Sequence, residues 1–139
     1  TRHFWAAPFE IGEEFGGLSY PSPMPQDARD VRTKFNAQAG ANTTIAVIAT
    51  DAVLTKAAAK RLAIAAHDGF ARAIWPTHTP FDGDLVFALA TGKSGVTLSP
   101  EAAIDLYAQA GATMARAIAR GVYAATADAG DLFPVWASR

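Results

Sequence analysis

The chain of 139 residues contains no cysteine, which excludes disulfide bonds, thiolate metal ligands and a cysteine nucleophile. An excess of positive charge is also missing, because 12 Lys and Arg residues stand against 13 Asp and Glu residues. A chain with this balance has no basic footprint for nucleic acid and no polybasic patch for an anionic membrane surface. We therefore expect neither nucleic acid nor a membrane among its partners.

Long apolar stretches are missing as well, although half of the residues are hydrophobic. Charged side chains interrupt every alanine-rich stretch, so no segment has the ~20 apolar residues in a row that a membrane-spanning helix needs. The first residues, Thr1 to Trp5, have neither an initiator methionine nor the layout of a signal peptide. These features predict a processed chain or a fragment of a cytoplasmic protein, with a periplasmic protein as the alternative.

Two short apolar runs predict buried strands, and each is followed by a longer segment with helical periodicity. The strands are expected over residues 43–51 and 85–91, and the helices over residues 56–74 and 100–127. Strands that alternate with helices of this length predict a layered α/β arrangement. Two or three strands are too few for a complete sheet, so the rest of the sheet is expected from another chain or from a missing N-terminal portion.

Both helices carry signals for their first residue and for the face that they bury. Thr55 and Ser99 are placed as N-caps, and Pro100 occupies the first position of the second helix. The tail after that helix is expected to dock through Phe133 and Trp136. Apolar residues spaced along one side of each helix predict its buried face. They are Leu62, Ala66, Phe70 and Ile74 on the first helix, and Ile104, Tyr107, Met114, Ile118 and Val122 on the second.

The segment before the first strand has the weakest pattern. Residues 3–11 are expected to form a short extended segment, which its proline confines to an edge or to a strand end. Trp5 and Phe9 in this segment are candidate substrate-binding residues, and the simpler interpretation is that they fill an aromatic core or interface. Residues 12–42 keep no period for long, apart from a weak helix over 28–37, so either a surface excursion or a loop exposed for cleavage is expected.

The candidate nucleophile is Thr43, where a polar approach of small residues runs into the first strand. A cut in front of Thr43 would leave a hydroxyl and a free α-amine on one residue. An α-amine is partly uncharged near neutral pH and can take the proton of the hydroxyl. Thr1 is a poorer candidate, because it leads into Arg2 and His3 and not into a strand that would hold it in place.

Asp82 and Asp84 flank Gly83 directly before the second strand. Alternate residues of an extended segment point the same way, so both carboxylates are expected to face one spot. Two neighbouring carboxylates can hold an ammonium group, orient a hydroxyl or share a proton, and glycine lets the backbone come close to a ligand. The alternatives are a solvated Asp-Gly turn and a serine–histidine–aspartate site around His78.

Several motifs, spread over residues 40 to about 125, together carry a family resemblance. They stand at residues 40–44, 49–52, 61–63, 66–69, 78–79 and 81–84. With these motifs the chain resembles the P1 family of self-processing aminopeptidases, also called the DmpA or peptidase S58 family. That family includes L-aminopeptidase/D-esterases, β-peptidyl aminopeptidases and hydrolases of nylon (6-aminohexanoate) oligomers. The segment over residues 3–10 is also similar to the one that precedes the processing loop in this family.

The resemblance implies an N-terminal-nucleophile-like αββα sandwich of the DmpA and ornithine acetyltransferase type, of which this chain is a part. Such a protein is made as a precursor and cut into a larger α chain and a smaller β chain. Residues 1–42 would then be the C-terminal end of the α chain with its processing loop, and residues 43–139 would be the β chain.

The resemblance also implies roles for particular residues. The cleaved bond would be Asn42–Thr43 and the nucleophile Thr43, where many members of the family have serine. A threonine at this position is similar to the branch of nylon-oligomer hydrolases. Asp82 and Asp84 match the two acidic positions that hydrogen-bond around the nucleophile.

The expected function is therefore an autoprocessing N-terminal-threonine amide hydrolase, of aminopeptidase or 6-aminohexanoate-oligomer hydrolase type. It would act through an acyl-enzyme, without a cofactor or a metal, on a small peptide or an amide oligomer. The family places a lysine and an oxyanion-stabilising asparagine upstream, so the remaining N-terminal part of the α chain is an expected partner, within a homo-oligomer of αβ units. The alternatives are a non-catalytic subunit of the same fold and an acyltransferase of the ornithine acetyltransferase type.

Overall fold

A computed structural model describes residues 3–31, 43–131 and 133–138 of the chain. Strands and helices alternate in the order that the sequence predicts, and the α/β class is confirmed. Within the described ranges, neither helix is both long and apolar enough to cross a bilayer. The elements are β1 (Ile45–Thr50), α1 (Lys56–Ala73), β2 (Leu85–Ala90) and α2 (Pro100–Tyr123).

Strands β1 and β2 pair in parallel, with Ile45 opposite Leu85 and Thr50 opposite Ala90. Parallel strands cannot be joined by a tight turn, and α1 supplies the crossover between them. Thr55 caps α1, since its side chain accepts a hydrogen bond from the N–H of Ala58. Together these elements form a strand–helix–strand unit in which the two strands start at the same end of the sheet.

One face of this sheet packs against both helices. Its inward residue Ile48 belongs to a buried cluster whose members come from β1, α1 and α2. Of the predicted buried positions of the helices, Leu62, Ala66, Phe70 and Met114 lie in this cluster, whereas Ile74 follows the end of α1 and is half-buried. The cluster consists of Ile48, Leu62, Ala66, Phe70, Ala110 and Met114.

The other face of the sheet is open, so the prediction that both strands are buried is wrong for this face. Successive side chains of a strand point to opposite faces, and the outward set here is apolar. We call it the open sheet face. Among the described residues the sheet has two strands only, so the outer edge of each is unpaired as well. The open sheet face consists of Ile45 (66% exposed), Val47 (62%), Phe87 (60%) and Leu89 (54%).

Helices α1 and α2 approach each other closely at Gly69 and Gly111. A Cβ added to Gly69 would lie 2.5 Å from the carbonyl oxygen of Gly111 and 2.5 Å from the Cβ of Met114. These distances are far below ordinary contact, so only a residue without a side chain fits there. Gly69 is buried, and the crossing brings Phe70 of α1 into the core.

The segment before β1 packs on α2 and differs from its prediction. Residues 3–11 are not extended, because a 3-10 turn at Ala7–Phe9 folds them back. Burial of the aromatic and small side chains against α2 provides the reason, and it overrides the local preference. Part of the predicted helix over 28–37 is replaced by a 3-10 turn at Gln26–Arg29, and most of the remainder lies outside the described residues. The buried cluster contains Phe4, Ala6, Phe15, Ala115 and Ala119.

Helix α2 is shorter than predicted and buries a narrower face. It ends at Tyr123, four residues before the expected end, and the residues after it are exposed. A helix gains most of its stability from packing, which these alanine-rich residues lack. Within α2, Ile104 and Val122 are exposed, contrary to the prediction. Tyr107, Met114 and Ile118 are packed as predicted.

The C-terminal tail returns to the N-terminal segment through one of its two predicted aromatic residues. Trp136 stacks on Phe4, with ring centroids 5.6 Å apart, and also packs on Tyr123. Phe133, the other residue predicted to dock the tail, is 43% exposed.

An ion pair holds the N-terminal segment to the middle of α2. Arg116 donates from Nε to Oε1 of Glu14 and from a terminal nitrogen to Oε2 at 2.9 Å. The hydrogen bond from Arg116 lowers the pKa of Glu14 below its ordinary value of 4.5, against the opposing effect of burial. The same hydrogen bond raises the pKa of Arg116.

We predict that Gly69→Ala destabilises the complete protein that carries this chain by about 1–3 kcal/mol, the usual effect of overpacking. The matched control is Gly121→Ala in α2, where an added Cβ meets nothing within 4 Å. Because alanine is the better helix former, the control should be neutral or slightly stabilising. Thermal unfolding of both variants checks this, and equal midpoints would contradict the close crossing.

We also predict that Glu14→Gln weakens the dependence of stability on pH under acid conditions. A lowered pKa in the folded state contributes stability above the unfolded value, and this contribution disappears as the pH falls through the folded value. The unmodified protein should therefore lose more stability than the variant between about pH 6 and pH 3. Denaturant unfolding at a series of pH values measures the difference, and parallel curves would argue against the ion pair.

Candidate active site

The parallel register brings Thr43 and Asp84 together at the beginning of both strands. Since Ile45 lies opposite Leu85, the residues just before β1 lie beside those just before β2. The N–H of Leu85 donates to the carbonyl of Thr44 at 3.0 Å and continues the ladder by one bond. Residues that are 40 positions apart in the chain thus meet in one place.

Asp84 holds the peptide group that follows Thr43. Its Oδ1 accepts a hydrogen bond from the N–H of Thr44 at 3.0 Å. Its Oδ2 accepts from the hydroxyl of Thr77 at 3.4 Å and lies 2.9 Å from Nδ1 of His78. The carboxylate side chain is only 7% exposed, so protein groups and not bulk water surround most of it. Both backbone polar groups of Thr44 are therefore held, its N–H by Asp84 and its carbonyl by the N–H of Leu85.

Thr43 itself is exposed, and its side chain lies against Gly83. A Cβ added to Gly83 would lie 2.8 Å from the Oγ1 of Thr43, and the next two nearest atoms, Cγ2 and Cβ, also belong to Thr43. The glycine predicted to allow a close approach therefore faces the candidate nucleophile itself. The hydroxyl is left accessible at the surface of the chain.

Asp82 makes a different contact from the one expected. Its Oδ2 accepts a hydrogen bond from the N–H of Thr79 at 2.7 Å, and its own N–H donates to the Thr79 carbonyl at 3.0 Å. Asp82 therefore closes the turn that precedes β2. Within the part of the chain that the structure describes, hydrogen bonds to the Thr43–Thr44 segment come from Asp84 and not from Asp82. The expectation that both carboxylates face one spot is therefore met by Asp84 and not by Asp82, whose hydrogen bonds in the described part of the chain go to Thr79.

His78 is a member of the site that the sequence pattern did not single out as such. Its backbone has φ of +53°, a left-handed conformation that is uncommon for residues other than glycine, although histidine adopts it more often than most. Its ring stacks on Phe70, with centroids 5.6 Å apart, and lies 5.2 Å from the ring of His67. The position of His78 before Asp82 and Asp84 was the available signal, and it was interpreted as part of a serine–histidine–aspartate alternative.

Trp5 and Phe9, the candidate substrate-binding residues, lie apart from each other. Trp5 belongs to an aromatic group with His3, Tyr20 and Trp75, at centroid distances of 5.5, 6.1 and 6.4 Å. Phe9 packs against the cluster on α2, with the guanidinium of Arg72 5.2 Å from its ring centroid. Among the described residues, neither of these sets of contacts includes Thr43.

Asn42, the residue before the candidate nucleophile, lies outside the described residues. The site as described thus consists of an exposed hydroxyl, a glycine that admits it, and a carboxylate that holds the following peptide. This arrangement can present a hydroxyl in a fixed direction at the end of a sheet. A hydroxyl of this kind becomes a nucleophile when an adjacent base takes its proton.

Comparison with known proteins assigns the chain to a family. The model of peptidase family S58 matches residues 13–132, so the chain belongs to this family and the resemblance seen in the sequence is confirmed. Aminopeptidases described as uncharacterized, from Mycobacterium tuberculosis and Mycobacterium bovis, are each 52% identical over 108 residues, 67% of this chain. One from Mycobacterium leprae is 48% identical over 99 residues, 64% of this chain.

The chain spans about a third of the length of these curated relatives. The matched regions cover 31% of the Mycobacterium tuberculosis protein and 27% of the Mycobacterium leprae protein.

We predict that Gly83→Ala disturbs the protein only while Thr43 is present. The new Cβ would force the threonine side chain off its rotamer, at a cost of about 1 kcal/mol. In a Thr43→Ala background the nearest remaining contact is the Cβ of residue 43 at 3.7 Å, an ordinary distance. Unfolding of the two single variants and the double variant gives the coupling, and additive effects would contradict the contact between these residues.

Proposed function

We propose that this chain carries the nucleophile of a self-processing amide hydrolase, and that Thr43 becomes that nucleophile when the Asn42–Thr43 bond is cut. Membership of peptidase family S58 and the aminopeptidase names of its relatives support a hydrolase of peptide bonds. The observation that carries the proposal is the exposed Thr43 hydroxyl against Gly83, next to a peptide held by Asp84 at 3.0 Å. Residues 43–139 would then be the β chain of the mature enzyme.

In the first stage, the Oγ of Thr43 attacks the carbonyl carbon of Asn42. The bond from that carbon to the nitrogen of Thr43 breaks, the acyl group moves to Oγ as an ester, and the nitrogen takes up the hydroxyl proton. Water then hydrolyses the ester, which leaves a carboxylate on Asn42 and a free α-amine on Thr43. Asp84 contributes by holding the N–H of Thr44, so the attacking residue starts from a fixed direction.

In the second stage, the free amine of Thr43 takes the proton of its own hydroxyl while Oγ attacks the amide carbonyl of the substrate. The leaving amine takes up the proton and departs, and the acyl group stays on Oγ. Water releases the acyl group and restores the hydroxyl. Donors for the developing oxyanion are expected from backbone N–H groups or from an amide in the part of the protein outside this chain.

The remainder of the complete protein is the expected partner of the open sheet face. Four apolar side chains, each more than half exposed, cover adjacent positions of two strands. Exposed apolar patches of this kind mark interaction surfaces, and unpaired strand edges accept further strands. The share of the relatives' length that the chain spans supports the same occupant. With a second sheet on this face the arrangement becomes the αββα sandwich that the resemblance implies.

The substrate proposed for this site is a small peptide or a linear amide oligomer. The aminopeptidase names of the relatives favour removal of an N-terminal residue. Hydrolysis of 6-aminohexanoate oligomers requires the same nucleophile, so a panel of both substrate types on the complete protein separates them.

We predict that Thr43→Ala remains a single uncut polypeptide without amide hydrolase activity, because no hydroxyl is left to attack. The matched control is Thr43→Ser, which keeps the hydroxyl and should be cut and active, although at a different rate. A denaturing gel and N-terminal sequencing of the smaller chain measure the outcome.

Three results would contradict this proposal. A Thr43→Ala protein that still separates into two chains would exclude Thr43 as the residue that cuts. An unmodified protein that stays intact and inactive on all amide substrates would favour the non-catalytic subunit. Preferential transfer of the acyl group to an added amine over water would favour the acyltransferase.

A further inference from the structure

We propose that His78 is a positioning residue that holds the Asp84 carboxylate against the peptide after Thr43. This inference rests on the proposed function of Thr43 and deepens it by adding a residue to its support. It concerns a side chain that does not itself meet the reacting atoms.

The two oxygens of Asp84 connect His78 to the nucleophile segment. Oδ2 lies 2.9 Å from Nδ1 of His78, and Oδ1 accepts the N–H of Thr44 at 3.0 Å. A proton on Nδ1 is present in the imidazolium and in one of the two neutral tautomers, so either form can donate to the carboxylate. One carboxylate therefore joins the imidazole to the peptide that orients Thr43.

The core sets the position of the imidazole ring. Phe70 is fully buried among the side chains of β1, α1 and α2, and the His78 ring stacks on it with an interplanar angle of 29°. His67, which lies on α1 like Phe70, contacts both rings. Its ring centroid is 5.2 Å from that of His78 and 5.4 Å from that of Phe70. The ring thus transmits the placement of helix α1 to the carboxylate of Asp84.

The backbone of His78 points to a requirement for its side chain. A φ of +53° is unfavourable for a residue with a Cβ, and glycine or asparagine adopts it more readily. A histidine held in this conformation close to a candidate active site is the pattern expected when strain is retained for a function. Here that function is the contact with Asp84.

The hydroxyl of Thr77 alone does not replace this contact. It donates to Oδ2 of Asp84 at 3.4 Å, a long hydrogen bond. Without the imidazole, the carboxylate can rotate away from the N–H of Thr44, and Thr43 loses its fixed direction. A misplacement of this order can slow an enzymatic step about 10- to 100-fold.

The test compares His78→Asn, His78→Asp and His78→Gly in the complete protein. All three residues tolerate the left-handed backbone, and all three lose the stacking on Phe70. Asparagine keeps a donor near the position of Nδ1, whereas aspartate offers only acceptors and glycine offers nothing. The rate at which the precursor separates into two chains is measured on denaturing gels, with circular dichroism as the check on folding.

We expect His78→Asn to be cut within a few-fold of the unmodified rate, and the other two variants about 10- to 100-fold more slowly. Turnover of alanine p-nitroanilide should follow the same order through kcat, with KM little changed. Equal rates for all three variants would overturn the inference, because the stacking or the backbone would then matter and not the donor. If His78→Gly does not fold, the comparison of His78→Asn with His78→Asp still tests the inference.

Thr43→Ala is measured alongside, so that the two proposals fail separately. A Thr43→Ala precursor that is still cut overturns the proposed function. An uncut Thr43→Ala precursor, together with His78→Asp and His78→Gly precursors that are cut at the unmodified rate, overturns only the role of His78.

Discussion

The parallel register between β1 and β2 is the constraint on which the site depends. It places Ile45 opposite Leu85, and this pairing puts Thr43 beside Gly83 and the N–H of Thr44 beside Asp84. A shift by one residue would exchange the inward and outward side chains of a strand, so the buried Ile48 would lose its place in the core. The same burial that stabilises the sheet therefore also aligns the candidate nucleophile with its carboxylate.

The helices support this alignment from one side. Gly69 and Gly111 allow α1 and α2 to approach closely, and Phe70 next to that crossing is fully buried. From Phe70 a continuous series of contacts passes through His78 and Asp84 to the N–H of Thr44. A surface hydroxyl is in this way connected to the most constrained part of the core, as precise nucleophilic chemistry requires.

The other side of the sheet is left uncovered by the described residues. A two-stranded sheet with one apolar face exposed is seldom stable by itself, and soluble proteins rarely leave such a patch uncovered. The chain spans about a third of the length of its curated relatives, and the proposed cover for that face is the remainder of the complete protein. In the proposed enzyme this chain would hold the nucleophile, and the walls of the substrate pocket and the oxyanion donors would come from the protein that covers this face.

The amino-acid sequence by itself determined the strands, both helix N-caps, the candidate nucleophile and the acidic pair, because these depend on local chemistry and on the spacing of apolar residues. The sequence also indicated the family of the protein, through several short motifs. Tertiary structure alone decided the different contacts of Asp82 and Asp84, the open sheet face, the turn at Ala7–Phe9 and the end of α2 at Tyr123. It also decided the place of His78, since a ring stacked on a core residue and a carboxylate reached across two strands are relations between distant segments that no local pattern contains.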